Sequence, residues 1–194
     1  MTRAAGPPVL VITGPSGVGK GTLIQALRRR FPDLRLSVSA TTRGPRSGEA
    51  DGRDYHFLTR EEFDRRVEAG DFLEYADYSG NRYGTLRSEV EDADGPVVLE
   101  IETQGARQVR KTLPEAVQVF IAPPSREALR ERLIGRGTDL PEAIQLRLKQ
   151  AEDELAAQDE FGHVIVNDDL ERAAAELIDL VATIWPPPNG EAHP

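Results

Sequence analysis

A chain of 194 residues with 39% hydrophobic content can bury one sizeable core, and nothing in its length demands a second. Its formal charge of −9 argues against a general attraction to nucleic acid or to a membrane surface, so an anionic ligand must meet a local basic cluster. The absence of cysteine excludes disulfides, thiolate metal sites and thiol catalysis, and fits a reducing compartment.

The opening residues 1–8 contain no apolar stretch of leader length, and no run in the sequence reaches membrane-spanning length, so a cytoplasmic protein is expected. Short apolar runs rich in β-branched residues predict strands at Val9–Thr13, Leu36–Ala40, Val97–Ile101, Val117–Ile121 and Val164–Val166. Their nearly continuous hydrophobicity suits strands buried on both faces. Segments of helical period fall between most of them, at Thr22–Phe31, Gly105–Thr112, Ser125–Ile134 and Leu170–Ile184. This alternation predicts an α/β fold with a parallel five-stranded sheet flanked by helices.

Two stretches break the alternation. Residues 43–87 are too long and polar for a plain loop, hold all four tyrosines, and contain a capping box at Thr59 and Glu62. Ser79-Gly80-Asn81 reads as a turn between short antiparallel strands, so a small α+β lobe is expected at about 43–95. Gly135, Gly137 and Pro141 place joints on either side of Arg136, which predicts a helical lid at about 132–159. The core of this single domain then comprises about 8–42, 96–131 and 160–185, and the tail 186–194 is expected to be disordered.

The sharpest motif is Gly14-Pro15-Ser16-Gly17-Val18-Gly19-Lys20-Gly21-Thr22, directly after the first strand and at the start of a helix. Glycines there let backbone N–H groups converge on phosphate oxygens at the positive end of the helix, and Lys20 bridges the β and γ phosphates. Gly21 stands where a hydroxyl usually reaches magnesium. The ion is therefore expected to be held mainly by nucleotide phosphates and water, with no protein metal ligand assigned. The loop alone leaves ATPase, GTPase, motor and kinase open.

The run from Ser37 through Ser39, Arg43, Arg46 and Tyr55 to Phe57 resembles the acceptor-binding segment of the guanylate kinase family. The likeness continues through Phe72-Leu73-Glu74-Tyr75, Tyr83-Gly84-Thr85, Gln104-Gly105-Ala106, Gly135-Arg136-Gly137-Thr138 and Asn167-Asp168-Asp169, covering about residues 9–184. It implies a kinase moving the γ-phosphate of ATP, with Mg2+, onto GMP and also dGMP, as a monomer or homodimer.

Physical chemistry assigns roles along the same residues. Arg43 and Arg46, with the hydroxyls of Tyr55 and Tyr83, can clamp a monophosphate dianion. Ser39 and Thr85 can donate to guanine O6 while Glu74 accepts from N1–H and N2–H, a pattern that adenine does not match. Phosphoryl transfer needs positioning and cations more than a nucleophilic side chain, so Lys20, Arg43, Arg132, Arg136 and Arg147 are the catalytic candidates. The resemblance supports Arg136 and Arg147, and Arg132 follows from its i,i+4 relation to Arg136. Glu100 and Glu102 lie two apart at the end of the third core strand, where the family has Asp, and are placed on the GMP side. The resemblance puts Asn167 and Asp168 beside the adenine of ATP. His56, His163 and His193 show no metal-like clustering and no nameable partner, and are read as structural or exposed. Loss of the loop lysine and the acceptor arginines would mark a binding module without catalysis, and all of them are present.

Overall fold

The computed structural model describes residues 6–78, 80–135 and 141–185. In chain order the elements are β1 (Val9–Thr13), α1 (Lys20–Arg30), β2 (Arg35–Leu36), β3 (Ala40–Thr41), β4 (His56–Phe57), α2 (Arg60–Ala69), β5 (Phe72–Tyr78) and β6 (Asn81–Leu86). They continue with α3 (Ser88–Glu91), β7 (Val97–Glu100), α4 (Thr103–Thr112), β8 (Val117–Ala122), α5 (Arg126–Gly135), α6 (Pro141–Ala156), β9 (His163–Val166) and α7 (Leu170–Ile184). The predicted parallel five-stranded sheet is present, in the order β2-β7-β1-β8-β9. Every residue of β1 is buried, as its unbroken apolar run requires. Residues 136–140 of the expected lid and the tail 186–194 lie outside the described residues, as does Ser79 of the expected turn.

The chain divides into two compact units, Met1–Val11 with Leu34–Val117, and Ile12–Asp33 with Gln118–Pro194. The first carries a four-stranded sheet in the order β4-β3-β6-β5. Its β5–β6 hairpin is antiparallel and closes on the pair Tyr78 and Asn81, as expected from Gly80-Asn81. Gly80 has φ +80, a left-handed conformation that a side chain disfavours. Thr59 caps α2 by accepting from the Glu62 N–H at 3.1 Å, but the Glu62 carboxylate turns to Arg65 and Arg66. One half of the predicted capping box therefore forms, because an arginine one turn on offers a charge-assisted bond.

The sequence predicts one strand at Leu36–Ala40, and the structure corrects this to two strands in different sheets. Ser37 N–H still bonds Val98 O at 3.0 Å along the five-stranded sheet. Val38 N–H then donates to the Glu89 carboxylate at 2.9 Å, and this breaks the ladder before β3 begins in the other sheet.

Strand β5 is an edge, and an edge leaves backbone groups unpaired. Gln108 on α4 satisfies them: its side-chain amide donates to Tyr75 O at 2.6 Å and accepts from Tyr75 N–H at 3.2 Å. Thr112 adds a bond to Leu73 O at 3.2 Å. Helix α4 is thereby locked onto the sheet with its small residues Gly105 and Ala106 buried. On the same lobe Ala40, Phe63, Phe72 and Leu86 form a core, in which the rings of Phe63 and Phe72 stack at 4.4 Å.

In the second unit α7 buries Ala173, Leu177 and Val181, spaced at i, i+4 and i+8, and packs against α1. Helices α5 and α6 bring Leu129, Leu133 and Ala151 together over Leu148. Among the described residues no helix is long and apolar enough to cross a membrane.

Phe63 is wholly buried and central to the lobe's core. Phe63→Ala is expected to destabilise the protein by about 3–5 kcal/mol, read as a drop in the midpoint of chemical unfolding with an unchanged slope.

Candidate active site

The phosphate loop follows β1 and leads into α1, as the motif predicts. Gly14 has φ +135, and a Cβ there would lie 2.2 Å from Ile121 O on β8, so glycine alone lets the loop pass this close to the neighbouring strand. Gly19 has φ +101, with a Cβ position 2.5 Å from the Asn167 amide nitrogen. Helix α1 has no acidic residue in its first turn and no side-chain cap, so its N–H groups and positive end stay available to an anion. The Lys20 ammonium folds back over the loop, donating to Gly14 O at 2.6 Å and Pro15 O at 3.2 Å. Thr22, the hydroxyl next to Gly21, is exposed.

Asn167 and Arg132 brace this loop from outside it. The buried Asn167 amide donates to Val18 O at 2.7 Å, and the Arg132 guanidinium donates to Asn167 O at 2.8 Å. A second Arg132 nitrogen donates to Val18 O at 3.5 Å, so the guanidinium bonds both the loop and the residue that braces it. Arg147 lies half-buried on α6, while Arg136 is outside the described residues. Asp168 pairs with Arg172 on the first turn of α7.

In the first unit the acceptor candidates fall into two groups. Arg43 makes a bidentate pair with Glu49, both bonds at 2.9 Å, and its guanidinium lies 5.1 Å over the Tyr55 ring. Glu49 also accepts from Arg46 N–H at 2.7 Å, while the Arg46 side chain is exposed. Tyr55 and Tyr83 meet edge to face at 6.1 Å. The bond to Glu49 raises the Arg43 guanidinium well above its ordinary range, and Arg43, ahead of Arg46 N–H, lowers the Glu49 carboxyl below its own. Burial raises the Tyr55 phenol, so it remains a neutral donor. Sequence reasoning missed Glu49; the signal was an acid three residues beyond Arg46 in an arginine-rich turn.

The second group centres on Glu74, buried and opposite Thr85 in the β5–β6 register. Thr85 Oγ1 donates to Glu74 Oε1 at 2.7 Å, so the hydroxyl expected to face a guanine oxygen is engaged with the carboxylate. Burial pushes Glu74 up to about 7; the hydrogen bonds from Thr85 oppose this and the negative charge of Glu102 adds to it. Glu74 Oε2 faces Gly105 of α4, where a Cβ would sit 2.3 Å away. Glu102 is half-buried at the N-cap of α4, and Glu100 is exposed at the end of β7.

The histidine reading needs a correction: His56 has a partner, its Nε2 standing 3.0 Å from Glu89 Oε1. The pairing links β4 to α3, 33 residues apart, which no local spacing shows. His163 is exposed on β9, and His193 lies outside the described residues.

A parallel α/β sheet that delivers a glycine-cradled lysine at a helix N-terminus defines a nucleotide-binding protein of the phosphate-loop class. The sequence matches the family model described as guanylate kinase over residues 7–183. A guanylate kinase of Synechococcus sp. (strain CC9311) is 62% identical over 170 residues, 86% of this chain and 90% of the relative. One from Rubrobacter xylanophilus is 52% identical over 179 residues, 91% and 94% of the two chains. The crystal structure of guanylate kinase from Anaplasma phagocytophilum superposes with a TM-score of 0.73 at 32% identity, covering 95% of this chain and 89% of that one. The chain belongs to the guanylate kinase family.

Because a methyl at residue 105 would overlap the Glu74 carboxylate, Gly105→Ala is expected to cost about 1–3 kcal/mol through overpacking. Thermal unfolding measures it. Gly105→Ala combined with Glu74→Ala should recover most of the loss, since the overlapping atoms are then gone.

Proposed function

We propose that this chain transfers the γ-phosphate of ATP to GMP, giving ADP and GDP. The observation that carries the choice of base is the buried Glu74, whose donors are the neutral hydroxyl and backbone N–H of Thr85 and whose charged neighbour is another carboxylate. Such a group needs donors from a ligand, and guanine N1–H and N2–H supply two on one edge. Adenine has a lone pair at N1 and leaves the carboxylate short of a donor. With Thr85 engaged by Glu74, Ser39 is the donor assigned to O6, and Thr85 holds the carboxylate for the base.

The monophosphate is assigned to Arg43, Arg46, Tyr55 and Tyr83. Arg43 is already held flat by Glu49 and the Tyr55 ring, so little side-chain freedom is lost when it meets phosphate. Lys20 and the loop N–H groups receive the donor phosphates, and Arg132 with Asn167 keeps that loop in shape. Arg136 and Arg147 complete the cationic set for the charge that spreads over the transferring group. Glu100 and Glu102 are assigned to the acceptor side. On this reading residues 43–95 are the acceptor lobe and 132–159 the lid, in a cytoplasmic enzyme.

Members of the family use a divalent metal with ATP. The loop fits a magnesium ion carried in by its nucleotide, since it offers the exposed Thr22 hydroxyl one residue past Gly21. Magnesium would neutralise the β and γ phosphate oxygens there while the loop fixes their position.

Lys20→Met should leave the fold intact and raise the barrier by about 3–5 kcal/mol, seen as a loss of several orders of magnitude in kcat with an unchanged circular dichroism spectrum. A variant within about tenfold of wild type would show that the loop lysine does not act on the donor.

Glu74 gives a pH test. Its folded-state value of about 7 lies above the ordinary 4.5, so between these the folded protein binds the proton more readily than the unfolded chain. Without nucleotide, stability should therefore fall as pH rises through that window, by at most about 1.4 kcal/mol per unit. GMP needs the carboxylate, so kcat/KM for GMP should climb as pH approaches about 7 and level above it. Glu74→Gln should flatten that limb and cost about 2–3 kcal/mol in kcat/KM for GMP, with AMP turnover steady or slightly raised.

A further inference from the structure

Glu89 is a buried carboxylate on the short helix α3, outside every set assigned above. Its Oε2 accepts from Val38 N–H at 2.9 Å and lies 3.4 Å from the Arg35 guanidinium, and its Oε1 meets His56 Nε2 at 3.0 Å. Two stretches of the chain, Arg35 with Val38 and the His56 strand, converge on these two oxygens. Val38 adjoins Ser39, the residue assigned to guanine O6. His56 adjoins Tyr55, assigned to the monophosphate, and its own N–H donates to Ser39 O at 2.9 Å. Glu89 itself follows by four residues Thr85, which holds Glu74.

Resting on the proposed acceptance of GMP, we propose that Glu89 is a positioning residue for the acceptor nucleotide: it ties the Ser39 and Tyr55 strands to the Thr85 segment, setting the spacing between base and phosphate contacts. The local backbone makes such a tie necessary. Between Ser37, whose N–H bonds β7, and Ala40, which pairs with Gly84, the chain crosses from one sheet to the other, and Val38 N–H has no strand partner there. Strands β3 and β4 are only two residues long, too short to fix their own register against the hairpin. A carboxylate has the capacity to serve several donors at once, and this one takes a backbone N–H, a guanidinium and an imidazole nitrogen from the two strands and their approach. Burial strengthens each bond and makes loss of the acceptor costly to the Val38 N–H.

Glu89 bonds Val38 N–H, Arg35 and His56 and belongs to none of the sets assigned to the phosphates, so its removal acts on GMP binding and not on the chemical step. Glu89→Ala is expected to raise KM for GMP about tenfold, with kcat and KM for ATP within about twofold of wild type. Glu89→Gln keeps an oxygen for Val38 N–H and an amide for His56, and should restore KM for GMP to within about threefold. His56→Ala removes one arm and should raise it about threefold.

These values are to be measured by steady-state kinetics with each substrate varied, alongside thermal unfolding. An unchanged KM for GMP in Glu89→Ala overturns the proposal. So does a rise shared equally by ATP, or a Gln variant no better than Ala, since either marks general structural damage. If Glu89→Ala does not fold, the Gln and His56 variants decide on the same readout, and wild-type values in His56→Ala count against it. A wild-type chain that leaves GMP unphosphorylated would sink the proposed function and this inference together; a working wild type with an unmoved GMP KM sinks this inference alone.

Discussion

Keeping the Glu74 carboxylate out of water sets the terms for the whole acceptor lobe. A buried carboxyl group resists ionisation unless donors reach it, and here the nearest charge, Glu102, has the wrong sign. The lobe answers with the hydroxyl and backbone N–H of Thr85, presented by the β5–β6 register, and with a glycine at 105 that lets α4 approach the group closely. Gln108 and Thr112 then hold α4 against the edge strand. The Thr85 hydroxyl bond and the close approach at Gly105 both depend on a carboxylate at 74, whereas Gln108 and Thr112 serve the backbone of the edge strand. Together they leave a buried polar group partly satisfied, which is the basis for assigning it to a purine edge under the proposed function.

The loop that receives the donor nucleotide meets the opposite electrostatic demand, to concentrate positive potential without losing its shape. Its N–H groups have to point inward, so its carbonyls point outward and need partners of their own. Asn167 and Arg132 both donate to the Val18 carbonyl, and Lys20 takes those of Gly14 and Pro15. Residues expected to touch ATP are in this structure part of the scaffold of the loop. The two readings are compatible, because a phosphate cradle is only as selective as its backbone is fixed.

The acceptor arginines follow a similar logic. A guanidinium left alone on a loop would lose much rotamer freedom on meeting phosphate. Glu49 and the Tyr55 ring hold Arg43 beforehand, at the cost of a competing negative charge beside the site. The Arg46 side chain is exposed and only its N–H meets Glu49, so the pair is asymmetric, one guanidinium held in place and one facing solvent.

How much of this was legible in the sequence follows from the range of each interaction. Four of the five core strands, the glycine-rich turn between β1 and α1 and the Thr59 cap are legible because each rests on a short window: a buried apolar run, glycines around a lysine, a hydroxyl three residues before an N–H. The order of separate motifs along the chain was enough for the family and hence the reaction. What failed or was missed involves distant partners. The strand at Leu36–Ala40 is split because Glu89, 51 residues away, claims Val38 N–H. His56 finds Glu89, Asn167 finds Val18 across 149 residues, and Thr85 is engaged by Glu74. The sequence by itself therefore determined which elements form and what chemistry they carry, since local periodicity and motif spacing encode those. Only the tertiary structure decided which polar atom satisfies which, because a buried donor takes whatever acceptor the fold brings within 3 Å, however far away in the chain.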